Sequence, residues 1–122
     1  PDNPKDGREG DLERRGGETL FFRAYLHYLV IRAYGEGVYM DHVVVPGEDM
    51  AYVKESFHSM VEKICADADA AYEKVDASYG GEYFGRVDKG ACLGLKAIVR
   101  WMAATPMWNG GTLPNDNHQE FC

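Results

Sequence analysis

Apolar positions recur at a helical period in three separate stretches of this chain. In residues 18 to 34, Phe21, Tyr25 or Ala24, Tyr28, and Ile31 or Arg32 fall on one face, and Phe22, Leu26, Leu29 and Ala33 on a neighbouring one. Nearly the whole circumference is apolar or aromatic, which predicts a helix covered on several sides. Gly35 is suited to end it, because glycine tolerates the left-handed conformation that closes many helices. In residues 50 to 75, Phe57, Met60 or Val61, Ile64, Ala68 and Ala71 recur at three-to-four spacing. Lys54, Glu62, Lys63, Asp69 and Glu73 fall mainly on the other side, and the start lies between Asp49 and Phe57. In the third stretch, from Lys89 to Ala104, the apolar series is Ala91, Leu95, Ile98 and Met102. Asp88 is a good N-cap for it, since its carboxylate can accept from an unpaired N–H of the first turn. Pro106 disfavours helical geometry at Thr105 and stops the helix there.

What lies between is rich in turn formers. Residues 1 to 17 carry Pro1, Pro4, Gly7, Gly10, Gly16 and Gly17 and read as a mobile lead-in. Residues 36 to 49 form a connector in which Val38 to Val45 suits a short extended segment. Residues 76 to 87 are a Gly/Tyr-rich loop, and 109 to 122 a polar, frayed tail. The expected organisation is therefore a lead-in over 1–17, a helical unit over 18–108 and a flexible tail over 109–122. The fold class is all-α with three main helices.

The chain has 122 residues, 45% of them hydrophobic, enough for one domain with a single core. Its net charge of −7 argues against nucleic acid as a partner, because phosphates call for clustered Lys and Arg. No run reaches the ~18 apolar residues of a membrane span. Three cysteines, Cys65, Cys92 and Cys122, show no CxxC spacing, and the first two sit in helical patterns as small buried residues.

Catalytic chemistry finds little support. Asp67 and Asp69 are two positions apart on a helix and point to different sides, so they read as a solvated face and not as a paired acid and base. His27, His42 and His58 lack metal spacing, and His27 reads as a hydrogen-bonded packing histidine. Asp116, His118 and Glu120 alternate in the tail, where ordering a site costs chain entropy. Neither Gly80-Gly81 nor Gly110-Gly111 has the context of a phosphate loop, and no serine sits in a nucleophile elbow. No enzyme activity, cofactor or metal is expected.

The segment Gly85-Arg86-Val87-Asp88-Lys89-Gly90-Ala91, the helix after it, and Thr105-Pro106-Met107-Trp108-Asn109-Gly110-Gly111 resemble the SusD/RagB family. That family shows Gly-Arg-x-Thr-Lys-Gly-Ala, then an Ala/Leu/Lys-rich helix, then Ala-Ser-Pro-Leu-Phe-Asn-Gly. Asp88 stands for the usual Thr, Thr105 for Ser, and Met107-Trp108 for Leu-Phe. Phe22-Arg23-Ala24-Tyr25 with Arg32-Ala33-Tyr34-Gly35, and Ile64-x-x-Asp67-x-Asp69-x-Ala71, are similar to two further family blocks, with Ala68 in place of a usual Leu. Arg23 and Arg32 would then be packing or ion-pair residues.

The resemblance, over about residues 18 to 111, implies a tetratricopeptide-like array of helical hairpins, here incomplete. It implies a surface lipoprotein of the Bacteroidetes outer membrane that captures oligosaccharide without catalysis and works with a SusC-like TonB-dependent transporter. Family members are several times longer and begin with a signal peptide and a lipidated cysteine, so the chain reads as a piece of such a protein, its membrane contact made only through that lipid anchor. An unfinished stack implies an exposed apolar face and self-association. For sugar contact the candidates are Trp108, Asn109, Tyr79 and Tyr83, because the C–H faces of sugars lie on aromatic rings and their hydroxyls seek amide partners. Tyr39 is a further loop aromatic. Set against this, the residue aligned with Trp108 packs at a helix end in the family, whose glycan contacts lie largely elsewhere. The alternative function is a free-standing helical protein–protein interaction module.

Overall fold

The computed structural model describes residues 7–49 and 51–109, which form three α-helices: α1 (Arg8–Tyr34), α2 (Phe57–Lys74) and α3 (Lys89–Ala103). A short 3-10 turn, Gly81–Tyr83, interrupts the second loop. Among the described residues the only β-type pairing is one isolated bridge, where Glu55 N–H donates to Gly37 O at 2.7 Å. The all-α expectation holds. The tail expected over 109–122 lies, apart from Asn109, outside the described residues.

Helix α2 is the middle of the assembly. It packs against both α1 and α3, which scarcely touch each other. Gly17 of α1 meets the C-terminal end of α2 at Lys74 and Val75, while Arg23 meets Asp67 and the Gly37 region meets Met60. That order makes α1 and α2 antiparallel. Arg100 reaches Glu62 and Lys96 reaches Asp69, so α3 is antiparallel to α2 as well. Successive antiparallel neighbours are what a helical-hairpin array requires.

The core follows the apolar stripe of α2. Phe57, Met60, Val61, Ile64, Cys65, Ala68 and Ala71 are buried. Phe57, Met60, Val61, Ile64 and Cys65 pack with Ala24, Tyr28 and Ile31 of α1 and with Leu95, Val99 and Ala103 of α3, while Ala71 joins Val75 and Cys92 in a second cluster. Small residues at 65, 68 and 71 let α2 be covered on two sides. Ser56 caps it, accepting from Ser59 N–H, and Asp88 caps α3 as expected, accepting from Ala91 N–H at 2.8 Å. Gly35 ends α1 with φ 77°, its N–H donating to Ile31 O. Thr105 turns back onto Met102 O, and the chain leaves the helix before Pro106.

Three expectations are corrected. First, α1 begins at Arg8, within the stretch expected to be a mobile lead-in. Its buried stripe runs Gly10, Arg14, Gly17, Ala24, Tyr28 and Ile31. The first half of that stripe carries no large apolar side chain. Gly17 is required by contact: a Cβ there would lie 2.8 Å from Val75 Cγ1 and 2.9 Å from Lys74 Cβ. Arg86 holds the early helix by a forked pair to Glu18, at 2.7 and 3.0 Å, and Arg14 lies 3.9 Å from Asp76.

Second, α1 is covered on one side, not several. Phe22, Tyr25, Leu26 and Tyr34 are exposed among the described residues. The exposed apolar face implied by an unfinished stack is therefore present. Third, the buried face of α3 is Cys92, Leu95, Val99 and Ala103, and Ile98 is half exposed. Both registers fit the sequence, and contact with α2 decides between them. Val38 to Val45 forms no strand; this connector is irregular and held by side chains.

Candidate functional site

The most tightly built polar feature joins α1, the connector and α2. The Arg23 guanidinium donates to both carboxylate oxygens of Asp67, at 2.5 and 2.6 Å, and to Asp41 O at 2.8 Å. The Tyr39 hydroxyl donates to the same carboxylate at 2.5 Å. Burial, and then the Asp67 carboxylate, push the Tyr39 phenol well above its ordinary value, so it stays protonated and donating. The hydrogen bond that Arg23 donates to Asp67 is the main cause that raises its guanidinium. His27 stacks on Tyr39, with centroids 4.0 Å apart. Its Nδ1 lies 2.8 Å from Arg23 O, and its Nε2 accepts from Met40 N–H at 2.9 Å. The packing role expected for His27 and the ion-pair role expected for Arg23 are both present.

This cluster corrects the reading of Asp67. Asp69 is exposed and paired with Lys96, as a solvated face requires, but Asp67 is buried, 8% exposed, with three donors on its two oxygens. A carboxylate so occupied is a clamp between helices, not an open acid or base. No local sequence signal marks it, because its partners lie far away along the chain. Tyr39 is likewise no loop aromatic offered to solvent, being 9% exposed.

The residues expected to touch sugar are divided between the two ends of α1. Tyr83 lies beside Arg14, near the start of that helix, and Trp108 lies on Gly35, just after its end. Roughly 30 Å of helix separates those points at about 1.5 Å per residue. The four residues therefore cannot form one site.

At the first end, positive φ angles at Gly81 and Gly85 fold the loop so that Tyr83 and Phe84 face outward. Tyr83 is 43% exposed, with the Arg14 and Arg86 guanidinium carbons 5.6 and 5.4 Å from its ring centre. Tyr79 is half-buried, and its hydroxyl accepts from Asp76 N–H at 3.1 Å. Phe84 is more open than either tyrosine, and nothing in the sequence alone marks it out. Arg86 is committed to Glu18 and Arg14 is buried near Asp76, so what this aromatic ledge offers is chiefly ring surface.

At the other end, Trp108 stacks on Phe57 with centroids 4.1 Å apart, and its ring edge fills the space where Gly35 lacks a Cβ. It is 6% exposed. That removes Trp108 from the residues available for sugar stacking and makes it the helix-end packing aromatic. Asn109 is exposed and lines an open groove of about 260 Å³ with Arg100, Ala103 and Ala104. Arg100 is committed there to a forked pair with Glu62.

A second groove of about 260 Å³ runs between α1 and α3 and is almost wholly apolar. Phe21, Tyr25 and Tyr28 form one wall, and Ala91, Gly94, Leu95 and Ile98 the other. Cys65 and Cys92 are buried, and burial pushes both thiols up, away from nucleophilic thiolate. Among the described residues no group of His, Cys, Asp and Glu is placed to hold a metal ion, and no helix is long and apolar enough to cross a membrane.

A SusD-like family model, described as starch-binding associating with outer membrane, matches residues 3–99. Among solved structures, a SusD-like protein from Bacteroides fragilis superposes on 78% of this chain with a TM-score of 0.72 and 29% sequence identity. The superposed region is 18% of that protein, so this chain spans less than a fifth of its length. No curated protein matches the chain.

Proposed function

Since the chain belongs to the SusD-like family, we propose that it is the helical part of an outer-membrane protein that captures oligosaccharide and passes it, unaltered, to a SusC-like TonB-dependent transporter. The observation that carries this reading is the family match, which spans all of α1 and α2 and most of α3. The described polar clusters fit a scaffold: Asp67 with Arg23 and Tyr39, Glu18 with Arg86, and Glu62 with Arg100 all tie one element to another. In this reading the helices supply support and partner surface, and a surface lipoprotein anchor belongs to the longer protein. If sugar reaches this region, Tyr79 and Tyr83 are the residues it meets, with Asn109 a separate polar contact at the other end.

Affinity electrophoresis tests the proposal. The chain, and a longer protein that contains it, are run through gels carrying a panel of plant and host polysaccharides. Retardation of the longer protein alone supports scaffold here and sugar elsewhere. Retardation of both, abolished by Tyr83→Ala, assigns the ledge a binding role. Free migration of both on every polymer defeats the glycan reading.

The apolar groove between α1 and α3 favours a second reading, a helical interaction module that associates with itself or another protein. Sedimentation of the chain at rising concentration tests it. A monomer at every concentration, unchanged by Ile98→Glu, would remove self-association.

A further inference from the structure

His27, on α1, and His42, in the connector, hold the two ends of the short stretch from Met40 to His42, and their surroundings demand opposite protonation states. His42 places Nδ1 at 2.7 Å from Asp41 Oδ1 and Nε2 at 2.8 Å from Glu48 Oε1. Carboxylates only accept, so both ring nitrogens must donate, which is the imidazolium form. His27 is the reverse. The Met40 N–H points at its Nε2, so that nitrogen must be the bare acceptor. Nδ1 then carries the proton and donates to Arg23 O, and the ring is neutral.

We infer that His27 is a pH-sensitive latch: its neutral ring pins the Met40 amide to α1, and protonation at Nε2 frees that amide while the Tyr39–Asp67 and Asp41–Arg23 bonds and the three helices stay in place. A proton on Nε2 would set one N–H against another where a hydrogen bond now stands. His27 is 8% exposed, so the displaced group has little water to turn to. The charged groups around it come from every neighbouring element. Arg23 belongs to its own helix, Tyr39 and Asp41 to the connector, and Lys63 and Asp67 to α2. Asp67 is already occupied by Arg23 and Tyr39, and Lys63 lies over the Tyr39 ring and pairs with Glu55. A second positive charge would sit one helical turn from Arg23, whose guanidinium already takes both oxygens of Asp67.

Release is local because of how the segment is fixed. Tyr39 to Asp41 touch α1 and α2 through the His27 stack, the Met40 N–H, the Tyr39 hydroxyl and the Asp41 carbonyl. The contacts between α2 and α3 involve none of these. Just beyond the latch the chain already holds Val43 and Val45 in solvent.

Amide hydrogen exchange on the full 122-residue chain tests the latch, read by NMR as protection factors from about pH 8 to about pH 5, where histidines titrate. Met40 protection should fall about tenfold or more towards acid, while Ile64 in α2 stays protected. His27→Gln should abolish the fall, because an amide oxygen accepts from Met40 N–H and does not titrate. His42→Gln should leave the fall in place. In the unaltered chain the ring nitrogen shifts of His27 should show the neutral Nδ1–H tautomer at the alkaline end, a readout that stands even if the variant fails to fold. The inference is overturned by constant Met40 protection, by a fall shared with Ile64 or with His27→Gln, by its loss in His42→Gln, or by the other tautomer. None of these outcomes bears on glycan capture.

Discussion

Trp108 lies flat on Phe57, their planes 8° from parallel, so the residue just past the end of α3 is seated on the first turn of α2. The same indole covers Gly35 at the end of α1. One side chain thus joins the ends of all three helices. Trp108→Ala should cost roughly 3–5 kcal/mol, the usual range for a buried tryptophan. Urea unfolding followed by circular dichroism measures it. A change below about 1 kcal/mol would mean that the stack contributes little.

Gly16 and Gly17 should respond to alanine with opposite signs. At Gly16 a Cβ meets nothing within 4 Å, so Gly16→Ala should stabilise α1 by about 0.5–1 kcal/mol through helix propensity alone. At Gly17 the added carbon would be 3.3 Å from the Ala71 backbone oxygen as well as close to Val75 and Lys74, and backbone cannot step aside. Gly17→Ala should cost about 1–3 kcal/mol by overpacking. Paired thermal melts decide it, and equal shifts for both variants would contradict the close approach of α1 and α2.

Removing the carboxylate of Asp67 leaves Arg23 and Tyr39 without their acceptor. Asp67→Ala should cost roughly 2–4 kcal/mol, less than a fully buried pair because the Arg23 side chain is 29% exposed. A double-mutant cycle with Arg23→Met isolates the coupling. Additive losses would show that the two residues act separately.

The connector loop around Glu48 should have its own pH window. Hydrogen bonds that its ring donates to Asp41 and then to Glu48 raise His42 above its ordinary 6.5, so its contribution is complete below that value and is lost as pH rises through the raised one. The Val45 N–H and then His42 hold Glu48 below its ordinary 4.5, so its contribution is complete above that value and is lost as pH falls through the lowered one. The loop should be best ordered between those ordinary values. The Val45 amide, which donates to Glu48 Oε2 at 3.0 Å, reports it by NMR titration. A flat Val45 signal from acid to alkaline pH would show the loop indifferent to both groups.

Legibility in the sequence depended on whether a residue's reason for being there was local. Asp88 was readable because a cap serves its own helix, and the α2 stripe because both its neighbours press on large apolar groups. Gly10, Arg14 and Gly17 were not, because the stripe they continue is made of a gap and a charge. Glycine spacing that signals a break when read locally marks a close helix contact once α2 is in place. Ile98 and Val99 are adjacent and equally apolar, so only the position of α2 selects Val99. Asp67 needed Arg23 and Tyr39, which lie far off along the chain. For the candidate site, Trp108 was chemically suited to sugar, but the pairing that takes it out of solvent forms only on folding.

Helices α1 and α3 each rest on α2 and scarcely on each other, and that makes the assembly a row instead of a ring. A ring of helices closes on itself and has no place for another member. A row stays open at both ends, so a further helix can be laid against an outer face without disturbing any contact already made. Damage is also directional in a row: loosening α3 leaves the α1–α2 hairpin with its Arg23–Asp67 clamp, whereas loosening α2 leaves two helices joined chiefly at their edges, by the Arg86–Glu18 fork and by Trp108 on Gly35.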